Sequence, residues 1–218
     1  MKYFLLAVFL FLSINANAQF SAVVVAYGVG DVPVNTSIDI DAEYVAMPVS
    51  LVSDAKYPSQ RAELIRELQS VVSDAASKNT NINFQQGVIS LSPKEKSSFS
   101  ISTPYGQRSS SSFYILSKLG DDKDLFAATQ DIYSFIGGIH KLEDTGFILG
   151  HISLAVSSPR NYRDQLLEKI KNEVASLKNI LGSSYQVEIS GLENAVIVQQ
   201  KNDKQVTLFI NYQIEFRE

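Results

Sequence analysis

Three acidic side chains, Asp39, Asp41 and Glu43, alternate along one predicted strand and so share a face that could collect a hard divalent cation. Positions two apart on a strand stand about 7 Å from each other, and calcium sites wrap the ion with a loop. A flat row therefore needs donors from elsewhere. A solvated face, or an edge guarded by charge against strand pairing, is the simpler reading. His140 and His151 flank Gly146, and with Glu143 or Asp144 they could anchor a metal. The chain holds no third histidine and neither H-x-x-x-H nor H-E-x-x-H spacing, so no metal is assigned. Gly28-Val29-Gly30 lacks the third glycine and the following helix of a dinucleotide loop and is predicted to be a tight β-turn. Asp121, Asp122 and Asp124 are accounted for by the helix start they precede, with Asp121 or Asp122 as cap. There is no G-x-S-x-G elbow. Asn35-Thr36-Ser37 matches a glycosylation sequon, which matters only in a eukaryotic host. No residue is assigned a catalytic, cofactor-binding or metal role.

Composition narrows the classes further. The chain has no cysteine, which removes thiol nucleophiles, cysteine zinc sites and disulfides together. Lys2 opens an apolar run from Tyr3 to Ile14, and Asn15-Ala16-Asn17-Ala18 supplies small residues at the positions a signal peptidase reads. Residues 1–18 are predicted to be a signal peptide cleaved before Gln19, the run being shorter than the roughly 20 residues a bilayer requires. Lys2 is the only charge removed, so 18 basic residues then face 23 acidic ones. An acidic chain with scattered lysines and arginines is not built for nucleic acid. After Ala18 no apolar stretch is long enough to cross a membrane. Residues 19–218 are expected to form one domain, periplasmic or secreted.

The elements that must position these residues follow from periodicity. Residues 22–26 form a short apolar strand. Residues 36–53 alternate but flip parity after Tyr44, which predicts one long strand with a bulge near 45–48, where Pro48 cannot donate. Tyr57-Pro58-Ser59 opens a helix whose stripe is Ala62, Ile65, Leu68, Val72 and Ala75. A strand over 82–92 and a return strand over 113–119 flank a serine- and proline-rich excursion at about 93–112. The next helix buries Leu125, Thr129, Ile132 and Ile136 and stops at Gly137-Gly138, glycine taking the left-handed position. Residues 147–157 read as one strand. Ser158 as cap and Pro159 as first residue open a helix over 159–181, with the stripe Tyr162, Leu166, Ile170, Val174, Leu177 and Leu181 and the terminator Gly182. Core packing accounts for that stripe, and Tyr162 and Leu181 at its ends are the positions where excess exposure would mark an interface. A strand at 185–190 precedes a hairpin of 194–200 with 205–217, whose last strand has one covered and one wetter face. The order ββαββαβαβββ predicts an α+β fold of mostly antiparallel sheets with three helices packed on them.

The order of elements and several short motifs resemble the SIMPL family, exported bacterial proteins related to the periplasmic immunogenic protein. The motifs are Val25-Ala26-Tyr27-Gly28-Val29-Gly30, Ser102-Thr103-Pro104-Tyr105-Gly106, Asp121-Asp122-Lys123-Asp124-Leu125, and Ile152-Ser153-Leu154-Ala155-Val156 leading to Leu181-Gly182. The last helix departs from the family's alanine-rich pattern, keeping Ala175 alone among Leu and Ile. The resemblance implies an α+β fold, an envelope location, no catalytic residues, ring-like assembly in some members and a role in stress tolerance. The expected function is a non-enzymatic envelope protein acting by self-association or contact with other envelope proteins, through the 93–112 excursion and exposed strand edges. The alternative is a periplasmic ligand- or divalent-ion-binding module using a helix–sheet pocket or the Asp39-Asp41-Glu43 row.

Overall fold

The computed structural model describes residues 23–26, 36–91, 108–120, 122–182 and 185–217. In chain order its elements are β1 (Val23–Val25), β2 (Ile38–Asp41), β3 (Tyr44–Ser53), α1 (Pro58–Ser77), β4 (Ile82–Ser90), β5 (Ser109–Lys118), α2 (Leu125–Gly137), β6 (Thr145–Leu149) and β7 (Ser153–Ser157). A 3₁₀ turn over Pro159–Tyr162 then runs into α3 (Arg163–Leu181), followed by β8 (Gln186–Ser190), β9 (Val196–Gln200), β10 (Gln205–Ile210) and β11 (Gln213–Arg217). The fold is α+β, and each strand ladder is antiparallel. One sheet runs β1-β7-β3-β5-β4 with β6 beside β3, a second runs β2-β10-β9, and β11 pairs with β8.

The parity flip after Tyr44 marks a change of sheet, not a bulge in one strand. Ala42 N donates to Lys204 O at 2.8 Å, whereas the next amide, Glu43 N, donates to Ala155 O at 3.1 Å. Adjacent residues thus bond to different sheets, and β2 and β3 are separate strands. The irregularity that Pro48 imposes falls on its neighbour. Ala46 lies opposite Ser153 and Val49 opposite Leu149, so Met47 and Pro48 face three residues, Gly150 to Ile152. This splits the predicted 147–157 strand into β6 and β7. Gly150 N donates to Pro48 O at 2.8 Å, and a Cβ on Gly150 would stand 2.5 Å from Pro48 Cγ. The predicted 205–217 strand likewise divides at Asn211-Tyr212, because β10 pairs with β2 and β9 while β11 pairs with β8. The wetter face expected there exists on β11 but not on β10, where Thr207 and Phe209 are buried along with Val206, Leu208 and Ile210.

The helices form where proline and periodicity place them, with changes at their ends. Asp124, not Asp121 or Asp122, caps α2, its carboxylate accepting from Ala127 N at 2.8 Å. Gly138 ends α2 in a right-handed conformation, with φ −80°. Ser158 makes no cap bond and sits at φ 48°, so Pro159 opens the 3₁₀ turn, not the α-helix itself. Gly182 does terminate α3 at positive φ. The buried stripe of α1 begins one residue earlier than periodicity suggests, at Arg61, and continues through Ile65, Leu68, Val72 and Ala76.

Most of the core is one apolar cluster joining β3 and β5 to all three helices and to β9 and β10. A smaller cluster on the opposite face of the large sheet gathers Ala46, Leu116 and Ala155, with Tyr44 and Tyr114 against it. The large sheet is strongly curled. Gln85 on the β4 edge donates from Nε2 to Val23 O on the β1 edge at 3.3 Å, although four strand spacings of a flat sheet would separate those edges by about 19 Å.

Candidate functional site

The longest edge strand among the described residues is β4, nine residues with no charge. Some other edges carry charges that discourage strand pairing, Asp39 and Asp41 on β2 and Glu188, Glu215 and Arg217 on the β8–β11 pair, while the uncharged edges β1, β6 and β9 have only three to five residues each. A bulge interrupts β4, because Gln86 opposes Phe113 and Ile89 opposes Ser111, leaving Gly87 and Val88 against Ser112 alone. Ser112 Oγ fills that break, accepting from Val88 N at 3.3 Å and donating to Val88 O at 3.0 Å. Gly87 is required here, since a Cβ would lie 2.6 Å from Ser112 O. Past the bulge the strand turns its apolar groups outward: Val88 is 73 %, Ile89 48 % and Leu91 54 % exposed.

Beside this edge a groove of about 680 Å³ runs between β4 and α1. Ile65, Phe84, Ile89 and Leu91 give it an apolar floor, while Arg66 and Asp74 stand on its helical wall. Below it Phe84 packs on Phe113, ring centres 4.9 Å apart, and Ser111 Oγ donates to Gln69 Oε1 at 2.9 Å. The floor is fixed. Neither Arg66 nor Asp74 forms an ion pair with another described residue. A hollow of about 810 Å³ beside the 3₁₀ turn contains Arg160 and Arg163, but Arg163 is engaged by two carbonyls, Asn194 O at 2.6 Å and Leu192 O. Among the described residues, the α1–β4 side therefore combines a strand edge with no ladder partner, tied to β1 only through Gln85 ahead of the bulge, with exposed apolar side chains and charges outside any ion pair.

The acidic row does not converge. Asp39 accepts from Lys201 Nζ at 2.5 Å and Thr207 Oγ1 at 2.7 Å, and Asp41 accepts from Gln205 Nε2 at 3.2 Å. Glu43 lies beyond the sheet change and is bound by Ser157, through its hydroxyl and its amide. The hydrogen bond from Lys201, then that from Thr207, holds the Asp39 carboxyl below its usual range. His140 and His151 are exposed, and no three His, Cys, Asp or Glu side chains among the described residues are grouped as metal ligands. The α3 stripe is core at Leu166, Ile170 and Val174; Tyr162 is half-buried, and exposure rises at the far end, where Leu181 is 43 % exposed. The predicted signal segment (residues 1–18), the turn predicted at Gly28–Gly30, Asp121 and residues 92–107 of the predicted excursion lie outside the described residues.

Two polar sites escape sequence reasoning. Arg61 is fully buried and donates from Nη1 to Ala55 O at 2.8 Å and Lys56 O at 3.1 Å, closing the turn between β3 and α1. Tyr212 donates to Glu173 Oε2 at 2.5 Å, and the buried Thr36 hydroxyl donates to the same oxygen, fastening α3 to the β10–β11 junction. Burial first, then Glu173, raises the Tyr212 hydroxyl above its usual value near 10. The one early signal for the β4 side is the absence of charge over the fifteen residues between Lys78 and Lys94.

No protein-family model, curated protein or solved structure matches this chain. No helix among the described residues is long and apolar enough to cross a membrane.

Proposed function

We propose that the chain is an exported, non-enzymatic cell-envelope protein that works by contact with other proteins, using the α1–β4 side as its contact surface. The observation that carries this reading is the uncharged nine-residue edge of β4 with Val88, Ile89 and Leu91 exposed beside an apolar groove. Edges of this kind add strands from a partner, the main chain supplying affinity and alternate side-chain pockets supplying selectivity. The leader-like residues 1–18 support export, and the SIMPL-like motifs support an envelope setting with a part in stress tolerance. The candidate carboxylates support a non-enzymatic reading, since Asp39, Asp41 and Glu43 are each held by a cross-strand or cross-sheet donor.

A photo-crosslinking side chain placed at Ile89 in the full chain, expressed in a Gram-negative host, tests the reading. The expected result is a processed protein beginning at Gln19 that forms a discrete crosslinked adduct from position 89 and none from Asp203. An unprocessed cytoplasmic product, or equal labelling from both positions, would overturn it.

A further inference from the structure

We infer that the α1–β4 side takes a second copy of this chain, packed about a two-fold axis with β4 against β4 and α1 against α1; this rests on the contact reading above and names the partner. In a two-fold contact, residue i on one copy meets residue j on the other, and j meets i. A charge near the axis therefore meets its own image unless the opposite sign stands at the conjugate position. The β4 strand carries no charge from Ile82 to Ser90, so its self-pairing brings no like charges together. The groove wall of α1 then supplies conjugate charges. With the axis passing Ser70, a small residue in the middle of that wall, antiparallel helices set Arg66 against the partner's Asp74 and Asp74 against the partner's Arg66. In the same register Glu63 meets Ser77 and Glu67 meets Ser73, so no carboxylate opposes another.

Arg66 and Asp74 are exposed and eight residues apart, about 12 Å along the helix axis. That separation is too great for an ion pair within one helix. Across the axis the two charges form two equivalent pairs. The exposed Val88, Ile89 and Leu91 sit along the joined strands, where pairing withdraws them from water. Antiparallel addition over the stretch of β4 past the bulge, which follows the Gln85 tie to β1, also joins the sheets of the two copies.

Sedimentation velocity and light scattering on residues 19–218 test this at a concentration on the order of 100 μM, where even a weak dimer is populated. The expected result is a dimer. Val88→Lys combined with Ile89→Lys, both at exposed positions, is expected to yield monomers with an unchanged circular dichroism spectrum. Arg66→Asp and Asp74→Arg should each raise the dissociation constant about tenfold, since like charges then face each other. The double exchange Arg66→Asp/Asp74→Arg should restore wild-type dimerisation. A monomeric wild type, a dimer indifferent to the lysine pair, or a double exchange no better than the single ones would overturn the inference. A monomeric wild type that still gives an adduct with a different protein from position 89 would remove the second copy while leaving the contact reading intact. Loss of both removes both.

Discussion

Arg61 and Tyr212 show how single polar groups hold elements that apolar packing alone would leave loosely joined. The Arg61 guanidinium is inside the protein because two carbonyls, Ala55 O and Lys56 O, would otherwise lack donors where β3 turns into α1. Both bonds come from Nη1, and lysine replaces arginine only in part, since an ammonium is more strongly hydrated than a guanidinium and so costs more to bury. Arg61→Ala is expected to cost about 2–4 kcal/mol, the sum of lost charged bonds and carbonyls left buried without partners. Urea denaturation of the variant checks this, and Arg61→Lys should recover only part of the loss. At the other end of the molecule, Tyr212→Phe removes a donor to Glu173 and should cost about 1–2 kcal/mol. Its pH dependence has a definite sign. The folded Tyr212 hydroxyl titrates above the unfolded one, so its contribution is complete below about pH 10 and is lost as pH rises through the folded value. The stability gap between wild type and Tyr212→Phe should stay constant up to about pH 10 and close above it, a comparison in which Tyr44, also raised by burial and by Glu43, cancels. A gap that closes on the acid side instead would refute the assignment.

At the scale of elements, Pro48 and Gly150 form a matched pair. Proline in a strand bonded on both sides removes one ladder donor, and the structure answers with an extra residue in the facing strand and a glycine that the Pro48 ring approaches closely. Gly150→Ala should destabilise by about 1–3 kcal/mol through that overlap. Pro48→Ala in the same chain should relieve part of it, giving a coupling that a double-mutant cycle in urea measures as non-additive. This pair also shows what was legible in the sequence. Alternation revealed that β3 is a strand and that something irregular happens near Pro48, because side-chain period is local information. Which strand absorbs the irregularity depends on pairing partners 100 residues away, and no local pattern contains that. The same reasoning covers Ala42-Glu43 and Asn211-Tyr212. A parity flip, or an uninterrupted alternation, reads identically whether a strand bends within one sheet or crosses to another. The β4 contact side was partly legible as a charge-free run, but the groove needs α1 laid beside β4, and the conjugate placement of Arg66 and Asp74 emerges only there. Arg61 was missed because arginine at a core position of a helix is uncommon, and the stripe looked complete without it.

For the molecule as a whole, the arrangement of cores decides how it unfolds. The three sheets are distinct in their ladders, yet one apolar cluster takes Val45, Met47 and Ile115 from the large sheet, Val198, Val206 and Leu208 from the second, and Leu68, Ile132 and Ile170 from the three helices. The polypeptide also crosses between the large and second sheets, at Ala42-Glu43 and, by way of β8, between β7 and β9, so neither of these two sheets can be stripped away without exposing the cluster. Hydrophobic burial shared in this way couples the parts. Thermal unfolding of residues 19–218 is therefore expected to be a single transition, with the calorimetric enthalpy matching the van't Hoff value and far- and near-ultraviolet circular dichroism changing together. The curl of the large sheet adds a local exception. β1 has only three residues and is held on one side by its ladder to β7 and on the other by the Gln85 side chain. Gln85→Ala should leave the global transition nearly in place while the amides of Val23 to Val25 exchange with solvent about tenfold faster, the change expected from losing one buried hydrogen bond. Equal acceleration of exchange across β3 and β5 would show instead that the edge-to-edge tie supports the entire sheet. Two separated calorimetric transitions would show that the sheets fold as independent units despite the cluster that joins them.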